Sequence, residues 1–215
     1  MLRKFLVLLI LALPLAIYLP NLGDYPYPFQ SPYSDLTITH YPNAVVTRNA
    51  ISQWGQIPLW SNHILSGYPF LANPLSGILY PPGWLVLIAE IPFAFNASIL
   101  LHLLFGGIGM FKFLRAEGLN SSPAMLGALG FELMPKLAGH YAAGHVTLLY
   151  AVSWMPWLLY FQRTRVKINK IMITSMIFGI VILADIRWAL YCGVVWGGYS
   201  FVIAGCSRWT RDIRR

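Results

Sequence analysis

Long apolar runs alternate with short polar clusters along most of the chain. The runs predict helical spans over residues 5–22, 94–114, 123–137, 146–161, 168–184 and 188–206. Such runs approach the roughly 20 residues that a helix needs to cross a bilayer. The pattern therefore predicts an all-α fold: a polytopic integral membrane bundle of about six spans, forming a single membrane domain over residues 1–215.

The segment between the first two runs departs from this pattern. Residues 23–92 are rich in proline, glycine and aromatic side chains, and proline at this density prevents one continuous helix. We predict a long, structured first extracytoplasmic loop that contains short interfacial helices. One such helix extends from Pro42 to Gly55, with Val46, Ala50 and Trp54 on its apolar face. This helix either lies along the membrane surface or packs on the bundle.

Composition and charge support the membrane assignment. Only 10% of the residues are charged, against roughly 25% in a typical soluble domain, so lipid must cover the apolar surface that charges do not. The net charge of +8 does not indicate nucleic acid, because the basic residues fall in separate clusters between apolar runs. The N-terminal run is interpreted as an uncleaved anchor rather than a cleaved signal peptide, since it is long and no clear cleavage site follows it.

The distribution of lysine and arginine predicts the topology. Twelve of the 15 basic residues fall on one side of the six-span arrangement, which identifies that side as cytoplasmic. Both termini are then cytoplasmic, and the protein is a multi-pass protein of the cytoplasmic (inner) membrane. Three basic residues remain outside: Arg48, Lys136 and Arg187. The twelve inner residues are Arg3, Lys4, Lys112, Arg115, Arg163, Arg165, Lys167, Lys170, Arg208, Arg211, Arg214 and Arg215.

The outer loops carry the residues best suited to chemistry. The outer cations Lys136 and Arg187 suggest an anionic partner such as a lipid phosphate, or they pair with Glu132 and Asp185 respectively. The same side holds Asp35 and four histidines: His40, His63, His140 and His145. These groups leave a divalent metal possible, although the five-residue spacing of the last two histidines matches no strong ligand motif. No metal ligand is assigned, and the cofactor is unknown.

Several motifs carry a family resemblance. They are Ser34-Asp35, His40-Tyr41-Pro42, the sequence GQIPLW at 55–60, Gly67-Tyr68-Pro69, LYPP at 79–82 and GHYAAGHVTLLYAVSWMPWLLY at 139–160. With the N-terminal anchor, they resemble the C-type (GT-C) glycosyltransferase superfamily, and within it the YfhO-like bacterial membrane proteins. The resemblance covers most of the chain. Family members are longer, so it corresponds to their N-terminal portion and suggests a C-terminal half encoded separately, or a truncated or inactive copy.

The resemblance implies a glycosyltransferase that takes a sugar from a polyprenyl-phosphate carrier at the outer face of the membrane and transfers it to an unknown acceptor. Asp35 falls on the position of the family's catalytic acid and would take the proton of the acceptor hydroxyl. Lys136, Arg187 and the loop histidines would stabilise the phosphate leaving group. Three aromatic residues either stack on sugar rings or anchor the protein at the interface; they are Tyr41, Trp60 and Tyr80.

A non-catalytic membrane protein is the alternative: a transporter of carrier lipid or solute, or a subunit of an envelope assembly complex. A transporter places ionisable residues at mid-membrane depth along its route. In the predicted spans, His102 is the ionisable residue expected at that depth. The other charges are expected at helix ends, which favours a surface-facing site over a route through the membrane. The enzyme hypothesis needs Asp35 in a cavity that opens outward with Lys136 or Arg187 within reach, whereas an Asp35 in bulk water, far from every cation, favours the non-catalytic class.

Overall fold

The structure is a computed structural model in which most of the described chain is helical. It describes residues 2–24, 31–64, 66–164 and 169–212, without the side chains of 2–4, 17, 18, 21 and 206–212. Within these ranges no strand occurs, and one isolated bridge joins Ser61 to Tyr68. The predicted all-α class is confirmed. The inner-loop residues Arg165 and Lys167 and the terminal Arg214 and Arg215 lie outside the described residues.

Eight α-helices follow one another in the described chain. They are α1 (Leu2–Leu15), α2 (Tyr41–Trp54), α3 (Ile91–Ala116), α4 (Ser121–Glu132), α5 (Pro135–Ala142), α6 (Val146–Arg163), α7 (Lys170–Ala184) and α8 (Ile186–Asp212). Helices α3 and α6 form the centre of the bundle, with α4, α7 and α8 packed around them. A 3-10 helix (Ala16–Asn21) follows α1, so the N-terminal run is not one regular α-helix.

Three glycines let the central helix approach its neighbours closely. A Cβ at Gly106 would collide with Phe131 of α4 and crowd Ser153 of α6, and a Cβ at Gly107 would collide with Glu132. Gly109 faces the indole of Trp157 in the same way. Small residues at such positions bring helix backbones together and so increase dispersion contact.

The predicted third span, residues 123–137, is wrong as a single helix. Helix α4 ends at Glu132, and the separate helix α5 begins at Pro135. Proline lacks the N–H that would continue the earlier helix and fits the first turn of a new one. The segment KLAGHYAAGH, predicted as a loop, is therefore largely helical. The predicted turn at 185–187 is shorter than expected, because Asp185 alone separates α7 from α8.

Helix α2 forms as predicted, but it presents a different face. A π-helical turn (Leu36–His40) leads into it, and Gly55 ends it with φ 64°. Its buried residues are Asn43, Ala44, Thr47 and Ala50, whereas Trp54, assigned to the apolar face, is 69% exposed. The helix thus packs on the bundle with a partly polar face.

Two helices are long and apolar enough to cross a membrane, namely Ile91–Ala116 and the Ile186–Gly205 part of α8. Phe5–Leu15 and Lys170–Ala184 are apolar but shorter. This favours association with a membrane.

Short connections give the bundle two chemically distinct ends. One end, called the basic end, holds Lys112, Arg115, Arg163 and Lys170, at the C-terminal parts of α3 and α6 and the start of α7. There Glu117 pairs with Arg163 at 3.0 Å and accepts a hydrogen bond from Tyr199. The opposite end joins α5 to α6 and α7 to α8, and the loop from residue 31 to 90 covers it.

Candidate functional site

Backbone hydrogen bonds hold Asp35 against the α5–α6 turn. The Asp35 N–H donates to the Ala143 carbonyl at 3.0 Å, and the Ser31 N–H donates to the Ala142 carbonyl at 3.5 Å. Gly144, with φ 77°, lies directly against the Leu36 backbone nitrogen, where a Cβ would collide. The first loop and the α5–α6 turn are therefore one structural unit at the same end of the bundle.

A chain of three side chains runs inward from Asp35. Its Oδ2 lies 3.4 Å from His145 Nε2, and His145 Nδ1 lies 2.8 Å from His140 Nδ1. The Asp35 side chain is 54% exposed, so the carboxylate remains open to an approaching molecule. The structure brings together three of the residues that the sequence nominated.

The hydrogen bonds specify the tautomers of this chain when both imidazoles are neutral. A carboxylate accepts, so His145 presents its Nε2–H to Asp35 and its Nδ1 becomes an acceptor. His140 must then donate through Nδ1–H, which leaves its Nε2 as an acceptor. That Nε2 is buried and has no hydrogen-bond partner among the described residues. Burial, followed by the nearby His145 and Lys136, lowers the pKa of His140, which favours this neutral form.

His140 and Lys136 border an apolar groove of about 340 Å³. Phe131, Met155 and Cys192 are among the residues that line it, from α4, α6 and α8 respectively. The Lys136 ammonium lies 5.7 Å from the centre of the Trp188 ring, and this ring meets His140 edge-on at 6.1 Å. The lining of the groove is apolar throughout, so Lys136 and His140 contribute carbon atoms to its wall.

The alternative pairing of Lys136 with Glu132 is wrong within the described chain. Both carboxylate oxygens of Glu132 are buried without a hydrogen-bond partner, and Glu132 faces α3 rather than Lys136. The other alternative pairing is confirmed, since Arg187 and Asp185 form a salt bridge of 2.8 Å. Arg187 is therefore engaged by a protein carboxylate.

Asp185 caps α8 from a buried position. Its Oδ1 accepts the Arg187 and Trp188 N–H groups at 2.9 and 3.2 Å, and its Oδ2 accepts the Thr147 hydroxyl at 2.7 Å. Burial alone would raise the pKa of Asp185, but the hydrogen bonds from Arg187, Thr147 and Trp188 outweigh it and lower the pKa. The capped carboxylate is therefore ionised, and Arg187 neutralises its charge.

Two acidic residues, Asp35 and Asp185, act electrostatically on His40. It is 5% exposed, and burial lowers its pKa to about 4, although Asp35 and a hydrogen bond to the Leu75 backbone oppose this. Arg187 also acts on it electrostatically. With Thr147 and Tyr80, His40 lines a small cavity of about 40 Å³, so this histidine is neutral and internal near neutral pH.

The nominated aromatic residues occupy different environments. Tyr80 is buried: its hydroxyl accepts the Trp154 indole N–H at 2.7 Å and lies 2.7 Å from His102 Nε2. Trp60 is exposed and covers Gly67, whose φ is 105°. Tyr41 is half-buried and packs against the core. Of the three, the indole of Trp60 offers the most accessible ring for stacking.

Two residues next to the site could not be identified as site residues from the sequence. Thr147 and Trp188 each contact a nominated residue, but an isolated threonine or tryptophan in an apolar run predicts only packing. Among the described residues, no group of three His, Cys, Asp or Glu side chains is placed to share a metal ion. Asp35, His145 and His140 form a linear chain rather than a convergent set.

The chain shows no match to a protein-family model, to a curated protein or to a solved structure. Its class therefore follows from its own fold and site. It is an all-helical bundle with two helices apolar and long enough to cross a membrane. At one end it carries an exposed carboxylate that is linked through two imidazoles to an apolar groove.

Proposed function

We propose that this protein is a membrane glycosyltransferase of the GT-C type, or the N-terminal part of one, acting on a sugar carried by a polyprenyl phosphate. The observation that supports the proposal best is the Asp35–His145–His140 chain beside the groove at Lys136. Such an arrangement offers a proton acceptor, a phosphate-binding cation and an apolar surface for a lipid chain within one site.

The groove suits an amphiphilic phosphate. A polyprenyl chain would contact the apolar wall, and its phosphate would meet the Lys136 ammonium at the edge. Trp188 positions that ammonium through its ring face. Arg187 is paired with Asp185, so the phosphate would rely on Lys136 for its cation.

The reaction needs one proton acceptor and one stabilised leaving group. The acceptor hydroxyl transfers its proton to Asp35 as its oxygen bonds to the anomeric carbon. The bond from that carbon to the phosphate oxygen breaks, and Lys136 stabilises the charge that develops on the phosphate. His145 orients the Asp35 carboxylate through its Oδ2, which leaves Oδ1 for the acceptor.

We further propose the six-span topology, with the basic end in the cytoplasm and the Asp35 end outside. Lys112, Arg115, Arg163 and Lys170 gather at one end of the described helices, as the preference for cytoplasmic basic residues requires. The shorter helices α1, α4 and α7 then cross together with the turns that follow them, and α5 lies at the outer end.

The test compares Asp35→Asn with Asp24→Asn in membranes that contain the full chain and a panel of polyprenyl-phosphate sugars. We expect Asp35→Asn to reduce transfer by about 10²–10⁴-fold, the usual contribution of a general base, and to leave binding of a fluorescent polyprenyl phosphate intact. Asp24→Asn should retain both properties. Transfer at the wild-type rate by Asp35→Asn would refute the assignment of the base.

Lys136 is tested through binding rather than turnover. Lys136→Ala should weaken binding of the fluorescent polyprenyl phosphate, whereas Lys170→Ala at the basic end should not. Equal affinity of the two variants would remove Lys136 from the phosphate site.

One observation favours the second class, a membrane transporter. Glu132 is buried within the bundle, with 4% of its surface exposed, and a transporter needs ionisable groups of this kind along its route. His102 does not serve this role equally well, because Ser98 and Tyr80 both hydrogen-bond its ring.

A further inference from the structure

Glu132 is a buried acid that the proposed transfer reaction does not use. It is the last residue of α4, it is 4% exposed, and neither carboxylate oxygen has a hydrogen-bond partner among the described residues. Its side chain lies against Gly107 of α3, whose missing Cβ provides the space. A carboxyl group in such a position requires a ligand or a proton to satisfy it.

The carboxyl group lines a partly open cavity of about 110 Å³ between α1, α3, α4 and α5. A water molecule needs roughly 10–15 Å³ of such space, so the cavity has room for several. The remaining walls come from Leu15 of α1, Leu100 and Leu103 of α3, and α5. The cavity is therefore apolar apart from this carboxyl group and one tyrosine.

Among the described residues, no cation lines this cavity; Lys136 and His140 of α5 line the separate groove beside Trp188. Helix α1 contributes Leu15, α3 contributes leucines, and α5 contributes Leu137, Ala138 and Tyr141. Tyr141 is the one other titratable group in this lining, and its hydroxyl donates to Asn96 Oδ1 at 3.2 Å. An ionised, unpaired carboxylate is strongly disfavoured in these surroundings.

A metal cation fits the cavity poorly. Hard cations such as Ca²⁺ and Mg²⁺ take six or more oxygen ligands, and the lining offers a carboxyl group and a phenol. Among the described residues no group of three His, Cys, Asp or Glu side chains could complete such a shell. A proton satisfies the carboxyl group without further protein ligands, and the resulting acid can donate a hydrogen bond to water in the cavity.

The length of α4 shows how far Glu132 lies from the basic end of the bundle. Helix α4 has 12 residues and starts at the basic end, so at about 1.5 Å per residue its last residue lies roughly 18 Å from that end. In the topology proposed above, this distance is near the middle of a hydrocarbon core about 30 Å thick. Only this depth rests on the proposed topology; the burial and the cavity do not.

We propose that Glu132 is a proton-binding site, a neutral carboxylic acid that contacts water in the α1–α3–α4–α5 cavity and exchanges its proton within the membrane. The site is separate from Asp35 and does not depend on glycosyl transfer. Its ligand is a proton, and its immediate partner is water.

Dicyclohexylcarbodiimide tests the proposal, because this apolar reagent modifies protonated carboxyl groups in apolar surroundings. The full chain in liposomes is treated at increasing pH, and the labelled residue is identified by mass spectrometry. We expect label on Glu132 that declines as the pH rises, its complete loss in Glu132→Gln, and its retention in Glu90→Gln, which changes an exposed acid. Asp35→Asn should label as the wild type does, which separates this test from that of the transferase.

Infrared spectroscopy can be carried out on the wild-type protein, so its result does not depend on whether a variant folds. A protonated Glu132 gives a carbonyl band of a carboxylic acid that shifts in D₂O and disappears at alkaline pH. An ionised band at every pH, or no label on Glu132 in the folded protein, would overturn the proposal. Protection from labelling by Na⁺ at constant pH would also overturn it, because the ligand would then be a metal cation.

Discussion

At the scale of single residues, His40 shows how the surroundings of the site set its chemistry. Its imidazole is enclosed by the first loop and the bundle, with Asp35, Asp185 and Arg187 acting on it from different elements. Burial dominates and keeps the ring neutral. His40 therefore acts as an internal polar contact, while His145, which touches Asp35, is the histidine poised for proton chemistry.

The neutral state of His40 predicts acid sensitivity. Its pKa is 6.5 when exposed and about 4 in the folded protein, so between these values the unfolded chain binds a proton that the folded chain does not. The free energy of unfolding should thus fall by about 3 kcal/mol as the pH drops from 6.5 to 4, and this contribution is fully present above pH 6.5. Unfolding midpoints in detergent across this range measure it.

His40→Gln is the control, since glutamine retains a hydrogen-bond donor for the Leu75 backbone but does not titrate. The variant should lose most of this pH dependence. An unchanged pH profile would show that other groups, such as Asp185, account for the acid sensitivity.

At the scale of elements, the α5–α6 turn determines where the two site histidines lie. Helix α5 carries His140, the turn contains Gly144, and His145 precedes α6. The turn packs against the π-helical turn that follows Asp35. The acid and the imidazoles therefore meet because two short helical segments dock, and neither segment could hold the geometry alone.

Gly144→Ala should loosen this docking. Its φ of 77° is unfavourable for alanine, and the new Cβ would collide with the Leu36 backbone and approach Ser34 Cβ at 3.0 Å. We expect a loss of about 1–3 kcal/mol in the free energy of unfolding, together with reduced transfer activity. Thermal unfolding in detergent and the transfer assay measure the two effects.

Gly139→Ala provides the matched comparison within α5. No atom lies within 4 Å of its added Cβ, and alanine favours a helix by up to about 1 kcal/mol over glycine. This variant should be as stable as the wild type or more so. If both variants behave alike, close packing at Gly144 does not position Asp35.

At the scale of the whole molecule, several direct contacts tie the first loop to the α5–α6 turn. The hydrogen bonds from Ser31 and Asp35 to this turn require both segments to lie on one side of a membrane. The basic end lies at the opposite ends of α3 and α6. The two ends of the bundle therefore differ chemically, because one carries the basic residues and the other carries Asp35 and the histidines.

Single cysteines test this orientation in a background without Cys192 and Cys206. A membrane-impermeant maleimide should label Asn62→Cys and Gly139→Cys in intact cells, and should label Ser122→Cys only after permeabilisation. Asn62 and Ser122 are exposed, so burial does not limit the reaction. Labelling of positions 62 and 139 from opposite sides would contradict the fold.

Much of the helical framework could be predicted from the sequence. The apolar runs of α3, α6 and α7 predicted helices to within about three residues of their ends, whereas α8 extends to Asp212, beyond its predicted end at residue 206. Gly55 predicted the end of α2. These features are local, because apolar run length and a glycine with positive φ depend on neighbouring residues alone. Pro135 is also a local feature, but the prediction of one helix across it was wrong, because the structure has two helices there.

The sequence by itself determined the helical class, the candidate acid Asp35 and the set of histidines, since composition and residue chemistry need no tertiary contact. Tertiary structure alone decided that His145 and His140 link Asp35 to the groove, that Asp185 holds Arg187, and that Glu132 faces Gly107 without a partner. The physical reason is that burial and distance between residues far apart in sequence arise only when helices pack. An ionisable side chain has a role only once its neighbours have determined its charge.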